Sequence, residues 1–192
     1  MSFGEILPIL PNLEPKTVLS ILTQAAYRNP DVCAIIAETI VAERAAQGRR
    51  VLTFPYESSE VWHEINTKYS GLSGSKQYNM SGDVCNMIAD TIEGIMKQCG
   101  PLANPRTRYN GLAVLRKIGK TICLSATDTL GHEVQKDFQW RKDLEEGMLQ
   151  IVEAMSMSGR WEIMEEQEGA EALWVKLLEL DALREGHCVF RV

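Results

Sequence analysis

The chain has 192 residues, 45% of them apolar and 24% charged, and a net charge of -6. A single domain of that length buries enough surface to fold without disulfide or metal staples. The acidic balance excludes a surface that is a nucleic-acid footprint throughout, though not a local basic patch.

Five cysteines, Cys33, Cys85, Cys99, Cys123 and Cys188, form an odd set with no Cys-x-x-Cys pair. Neither a zinc site nor a disulfide framework follows from that spacing. The opening stretch MSFGEILPILPNLEP has no positive n-region, and prolines interrupt its apolar part, so it does not read as a signal peptide. No apolar run reaches the roughly 20 residues that span a bilayer. These features predict an intracellular protein, nuclear or cytoplasmic.

In chain order, the first predicted helix runs from about Pro15 to Tyr27, with Val18, Ile21, Leu22 and Ala25 on one face. Asn29-Pro30 reads as the start of a second helix, to about Gln47, with Val32, Ile36 and Ile40 inward and Gly48 as its stop. The two are expected to pack as a helical hairpin over 15–47. Residues 50–54 read as a short extended piece ended by Pro55. Ser58 or Ser59 is expected to cap a helix that turns Val61, Trp62 and Ile65 inward.

Residues 70–82, SGLSGSKQYNMSG, read as a flexible Gly/Ser loop. Ser70, Ser73, Ser75 and Tyr78 are phosphorylation candidates within it. The main helical part, 83–184, follows. It starts with a helix over Asp83–Cys99 carrying Val84, Ile88, Ile95 and Cys99 on one stripe. A basic helix begins at Pro105, capped by Asn104. Thr127 or Asp128 starts another, through Phe138. Leu144, Met148, Ile151, Val152 and Met155 give the cleanest amphipathic spacing. The last predicted helix covers Ala170–Leu183, with Leu173, Trp174, Leu177 and Leu178 buried, and 187–192 read as extended. Seven or eight such helices, with no fixed repeat, predict one all-α bundle over 1–192; a short solenoid is the alternative.

Catalytic motifs fail on context. Gly119-Lys120-Thr121 ends like a P-loop, but Val114 stands where the first glycine belongs, and a helix rather than a strand precedes it. His132-Glu133 lacks the second histidine of a zincin, because Lys136 occupies that place. His63 and His187 have no ligand spacing. Glu165, Glu166 and Glu168 read as a solvated face. No cofactor or metal is expected.

The basic helix is the most informative segment. Between Asn104 and Ser125 stand five cations, Arg106, Arg108, Arg116, Lys117 and Lys120, and no acid. Leu112, Leu115, Ile118 and Ile122 share one side; Arg116, Lys117 and Lys120 stand opposite, joined by Tyr109. The segment from Asp143 to Glu185 carries twelve acids against three bases, so internal neutralisation is one expectation. The other is a partner-binding patch of Arg106, Arg108, Tyr109, Arg116, Lys117 and Lys120 for an acidic protein segment or complex. A nucleic-acid patch, with Tyr109 stacking a base, is a further alternative. So is a small enzyme with a site between helices that uses His63, His132 or a cysteine.

The stretch LPNLEPKTVLSILTQAAYRNPDVCAIIAETI resembles the start of the folded core in the fungal nuclear-proteasome tethering factors. There a Leu-x-x-Leu opening precedes a helix, a Pro-containing break and a second helix. The later stretches NGLAVLRKIGKTI and DLEEGMLQIVEAM fall where that family's bundle has helices of its own. The resemblance implies an all-α bundle that bridges other proteins without catalysis, and it slightly favours the nucleus over the cytoplasm. It also implies a Lys-rich N-terminal arm that contacts the proteasome, yet no lysine precedes Pro15. Residues 99–140 are also similar to a group of filamentous-fungal proteins, from which no activity is implied.

Overall fold

A computed structural model describes residues 3–6, 8–165 and 172–187. The described residues are helical with no strand, an all-α fold as the sequence predicts. Where one domain was expected, the chain divides into two compact units, residues 1–46 and 47–192.

The first unit holds α1 (Phe3–Ile6), a 3-10 turn (Leu10–Asn12), α2 (Pro15–Arg28) and the start of α3 (Pro30–Gly48). Proline opens both long helices, where its missing N–H costs nothing. The expected hairpin does not form along their lengths. An antiparallel helix pair needs a loop of about two to five residues, and only Asn29, in extended conformation, joins these two. Asn29 bonds to both sides of the joint instead: its Nδ2 donates to Ala25 O at 3.2 Å, while its backbone carbonyl accepts from Val32 N and Cys33 N. Within this unit no described residue is buried. Ile21, Leu22 and Ile40, expected inward, are exposed; Val18, Ala25, Val32 and Ile36 are half-buried.

The second unit holds the core. It comprises α4 (Glu57–Asn66), α5 (Gly74–Gln98), α6 (Pro105–Cys123), α7 (Thr129–Phe138), α8 (Asp143–Ala154), α9 (Met157–Glu165) and α10 (Leu173–His187). α6 is the axial helix. α4, α8 and α10 all pack against it, while α5 packs against α7 and α8. Leu112, Leu115, Ile118 and Ile122 of α6 meet Ile88, Ile92 and Ile95 of α5 and Leu144 and Ile151 of α8 in one continuous cluster. Full burial of such side chains is worth about 1.5–3 kcal/mol each, which is what holds the bundle.

Residues 50–54 form no strand. Side chains of α6 pin them: Leu52 N donates to Thr107 Oγ1 at 3.0 Å, Thr107 Oγ1 donates to Arg50 O at 3.2 Å, and Asn110 Nδ2 donates to Leu52 O at 2.7 Å. Phe54, buried, ends this segment at φ 49, a left-handed conformation uncommon for a residue with a side chain. His187 closes α10, and 188–192 lie outside the described residues.

The largest correction concerns the Gly/Ser loop. α5 starts at Gly74, so Ser75, Tyr78 and Gly82 are helical. The reason is Gln77, a buried amide. Its Nε2 donates to Tyr69 O and Asp128 Oδ2, both at 3.1 Å, and its Oε1 accepts from Leu130 N at 3.3 Å. This latch joins the start of α5 to the start of α7, and the glycine at 74 leaves room for Thr129. α9 is a further addition, in a stretch to which the sequence reading assigns no element: Ser156 Oγ accepts from Gly159 N at 3.1 Å at its start. Neither Ser58 nor Ser59 caps α4; Tyr56 is its N-cap residue. Trp62 and Leu178, expected inward, are exposed.

Cys33 is exposed, whereas Cys85, Cys99 and Cys123 are buried, and none of these four is in a disulfide. Burial pushes the Cys85 thiol up to about 12, with the Asp137 carboxylate adding to the shift, and pushes Cys99 up to about 11. Thiols so raised are almost wholly protonated near neutral pH and react slowly. Iodoacetamide at pH 8 is therefore expected to label Cys33 within minutes and the three buried thiols only after denaturant is added. Peptide mass spectrometry reads the order.

Candidate functional site

α6 positions every predicted site residue. Asn104 Oδ1 accepts from Arg106 N at 2.7 Å, and Pro105 follows as the first helical residue. The helix then runs unbroken to Cys123, so Gly119-Lys120-Thr121 lies inside it. A Cβ at Gly119 would stand 2.8 Å from Leu144 Cδ2 and 3.0 Å from Leu180 Cδ2. The glycine lets α8 and α10 close on α6; it cradles no phosphate.

The structure splits the six predicted residues. Arg108 and Arg116, expected on an exposed cationic side, are 8% and 7% exposed. Arg108 ties the helix ends together: Nη1 donates to Ala154 O, and Nη2 donates to Ala103 O at 2.6 Å. Burial lowers the pKa of its guanidinium. The sequence carried a signal for this. Arg108 stands four residues before Leu112 and seven before Leu115, the spacing of the buried stripe itself. Arg116 Nε donates to Lys176 O, and its Nη2 pairs with Glu179 Oε2, both at 3.1 Å. That pair realises, at one point, the expected neutralisation of the basic helix by acidic α10.

Arg106 and Tyr109 form a separate cluster at the start of α6. The guanidinium lies over the ring, 4.5 Å from its centroid. Attraction of a cation to the ring face holds it there.

Lys117 and Lys120 belong elsewhere. With part of the Arg116 side chain they line a groove of about 370 Å³ between α4 and α6, facing Ser58, Ser59 and Trp62. Val61 and Ile65, one helical turn apart, take the core side of α4, which leaves Trp62 on the groove side at 53% exposure. Leu124, 50% exposed just past the end of α6, adds a second apolar surface. Asn66 fixes one end: its Nδ2 donates to Trp62 O at 3.1 Å, and its Oδ1 accepts from Ala126 N at 3.0 Å. No carboxylate is among the described residues that line the groove. Two lysines beside an indole and a leucine can seat a chain that offers carboxylates and one large apolar side chain. Trp62 is the residue that sequence reading missed as a surface feature, because its helical spacing fits an inward face.

His63 and His132 are exposed, on α4 and α7. Among the described residues no group of three histidine, cysteine, aspartate or glutamate side chains could hold a metal ion. No described helix is long and apolar enough to cross a membrane. Comparison with protein-family models, with curated proteins and with solved structures returned no match.

Proposed function

We propose that the protein is a non-enzymatic adaptor that holds an acidic segment of a partner protein in the groove between α4 and α6. The observation that carries this reading is the lining itself: Lys117, Lys120, Trp62 and Leu124 together, with no carboxylate among them. On a chain of net charge -6 such a patch stands out electrostatically and steers acidic ligands toward it. The apolar pair supplies the affinity that rim lysines alone lack. Raised thiol pKa values and exposed histidines favour binding over nucleophilic chemistry. The reading places the chain inside the cell, nuclear or cytoplasmic, where unpaired thiols persist. It is also the role that the resemblance to proteasome-tethering factors implies, bridging proteins without catalysis.

The test is the double variant Lys117→Glu/Lys120→Glu in affinity purification from the native host. Both side chains are outside the core, so the melting temperature is expected to hold within about a degree or two, since surface changes cost little. Loss of the acidic partners supports the reading. Partners retained at wild-type levels would remove the groove from it, and recovery of nucleic acid that salt displaces steeply would favour the nucleic-acid alternative.

A further inference from the structure

The α4–α6 groove carries two serine hydroxyls as well as its lysines. Ser58, half-buried, and Ser59, exposed, line it from the start of α4. Of the phosphorylation candidates read from the sequence, Ser70, Ser73, Ser75 and Tyr78, none lines it. Ser59, Trp62 and Asn66 stand at helical spacing and share one face of α4. Lys117, Lys120 and Leu124 repeat that spacing along α6 and its cap.

Hydrogen bonds set the register between the two faces. Asn110 Nδ2 donates to Leu52 O before α4 begins, and Ala126 N donates to Asn66 Oδ1 where α4 ends. Residues 52–66 therefore run beside 110–126 in the same direction. Ser59, roughly two turns before Asn66, comes level with the part of α6 that holds Lys117. Its Oγ donates to Tyr56 O at 2.7 Å. Among the described residues neither Lys117 nor Lys120 is in an ion pair. Glu57 and Glu60 flank the serines in sequence but do not line the groove.

We propose that Ser59 is a phosphorylation site whose phosphate seats on Lys117 and Lys120 and closes the groove to its acidic partner. The closure rests on the adaptor reading; the phosphate seat does not. The donor is ATP, through a protein kinase. The bond from the γ-phosphorus to its bridging oxygen breaks, and a bond from Ser59 Oγ to that phosphorus forms. ADP leaves, and the hydroxyl proton passes to the kinase's base and on to solvent. Glu57 and Glu60 suit a kinase whose substrate cleft is basic. The product carries roughly two negative charges and three acceptor oxygens, so the wall of the groove itself then offers what an acidic segment would bring.

The full chain is first treated with an acid-directed serine kinase and ATP. Peptide mass spectrometry is expected to find phosphate on Ser59, and its absence there would overturn the site. Phosphoserine is next installed at position 59 during translation, with Lys117→Gln/Lys120→Gln in a companion protein. Phosphorus NMR at low ionic strength reads the second phosphate ionisation, which lies at about 6 in free phosphoserine. Nearby cations favour the dianion, so the phosphate is expected to titrate lower with the lysines than in the companion, which keeps every glutamate. Equal titration in the two would overturn the seat. Closure is read with a fluorescent polyglutamate peptide carrying one central leucine. The phosphorylated protein is expected to bind it about tenfold more weakly than the unmodified one, and Ser59→Ala to bind it as the unmodified protein does. Equal binding with and without the phosphate would overturn the closure. A peptide ignored by the unmodified protein, alongside a lowered titration, would sink the adaptor reading and support the phosphate seat.

Discussion

Gly131→Ala is expected to destabilise the protein by about 3 kcal/mol or more, the range of a forced overpacking. Gly131 lies in the first turn of α7. Its N–H donates to the capping Asp128 Oδ1 at 2.9 Å, and its carbonyl accepts from Ser125 Oγ at 3.2 Å. A Cβ there would stand 2.1 Å from the backbone oxygen of Ala126. That backbone cannot retreat freely, because Ala126 N donates to Asn66 Oδ1 at 3.0 Å. The clash would therefore propagate into α4 and the end of the groove. Gly94→Ala in α5 is the matched control. Nothing lies within 4 Å of its added Cβ, so a gain of about 0.5–1 kcal/mol from helix propensity is expected. Urea unfolding followed by circular dichroism reads both.

Arg116→Glu is expected to cost about 3 kcal/mol, because it breaks the pair with half-exposed Glu179 and leaves a carboxylate uncompensated at a buried position. The new carboxylate would face the Lys176 carbonyl, another acceptor, and Glu179, a like charge, where a guanidinium now donates to both. Lys117→Glu, one residue along, is expected to change stability by less than about 0.5 kcal/mol, because that side chain is exposed. The neighbours thus report opposite roles on one helix: Arg116 holds α10 to α6, and Lys117 faces the groove. Equal stability losses for the two would mean that the basic side is structural throughout.

That contrast also shows how far the sequence could be read. Helical spacing identified α5, α6, α7 and α8 and most of their buried stripes, because apolar side chains at three- and four-residue intervals have few other uses. The Asn104-Pro105 start was legible for the same reason: cap chemistry is local. Arg108 and Arg116 were misread because charge was taken to mean solvent. A guanidinium with carbonyls or a carboxylate in reach is stable inside, and those acceptors come from α8, α10 and the segment before α6, far along the chain for all but Ala103. Gln77 was hidden likewise. Its partners at Tyr69, Asp128 and Leu130 convert a Gly/Ser-rich stretch into the first turns of a helix, a tertiary override of weak local propensity. The one-residue joint at Asn29 was visible, but its consequence was not: too short a link keeps two helices from folding back on each other.

The groove rests on one pairing that no linear pattern contains, Trp62 from α4 facing Lys117 and Lys120 from α6. A photo-crosslinking amino acid placed at position 62, with position 140 on the exposed surface just after α7 as comparison, tests it most directly. The account predicts partner crosslinks from position 62, concentrated in acidic peptides and lost when Lys117 and Lys120 are reversed to Glu. Crosslinks that arise equally from position 140, or that persist from position 62 after the reversal, would contradict it.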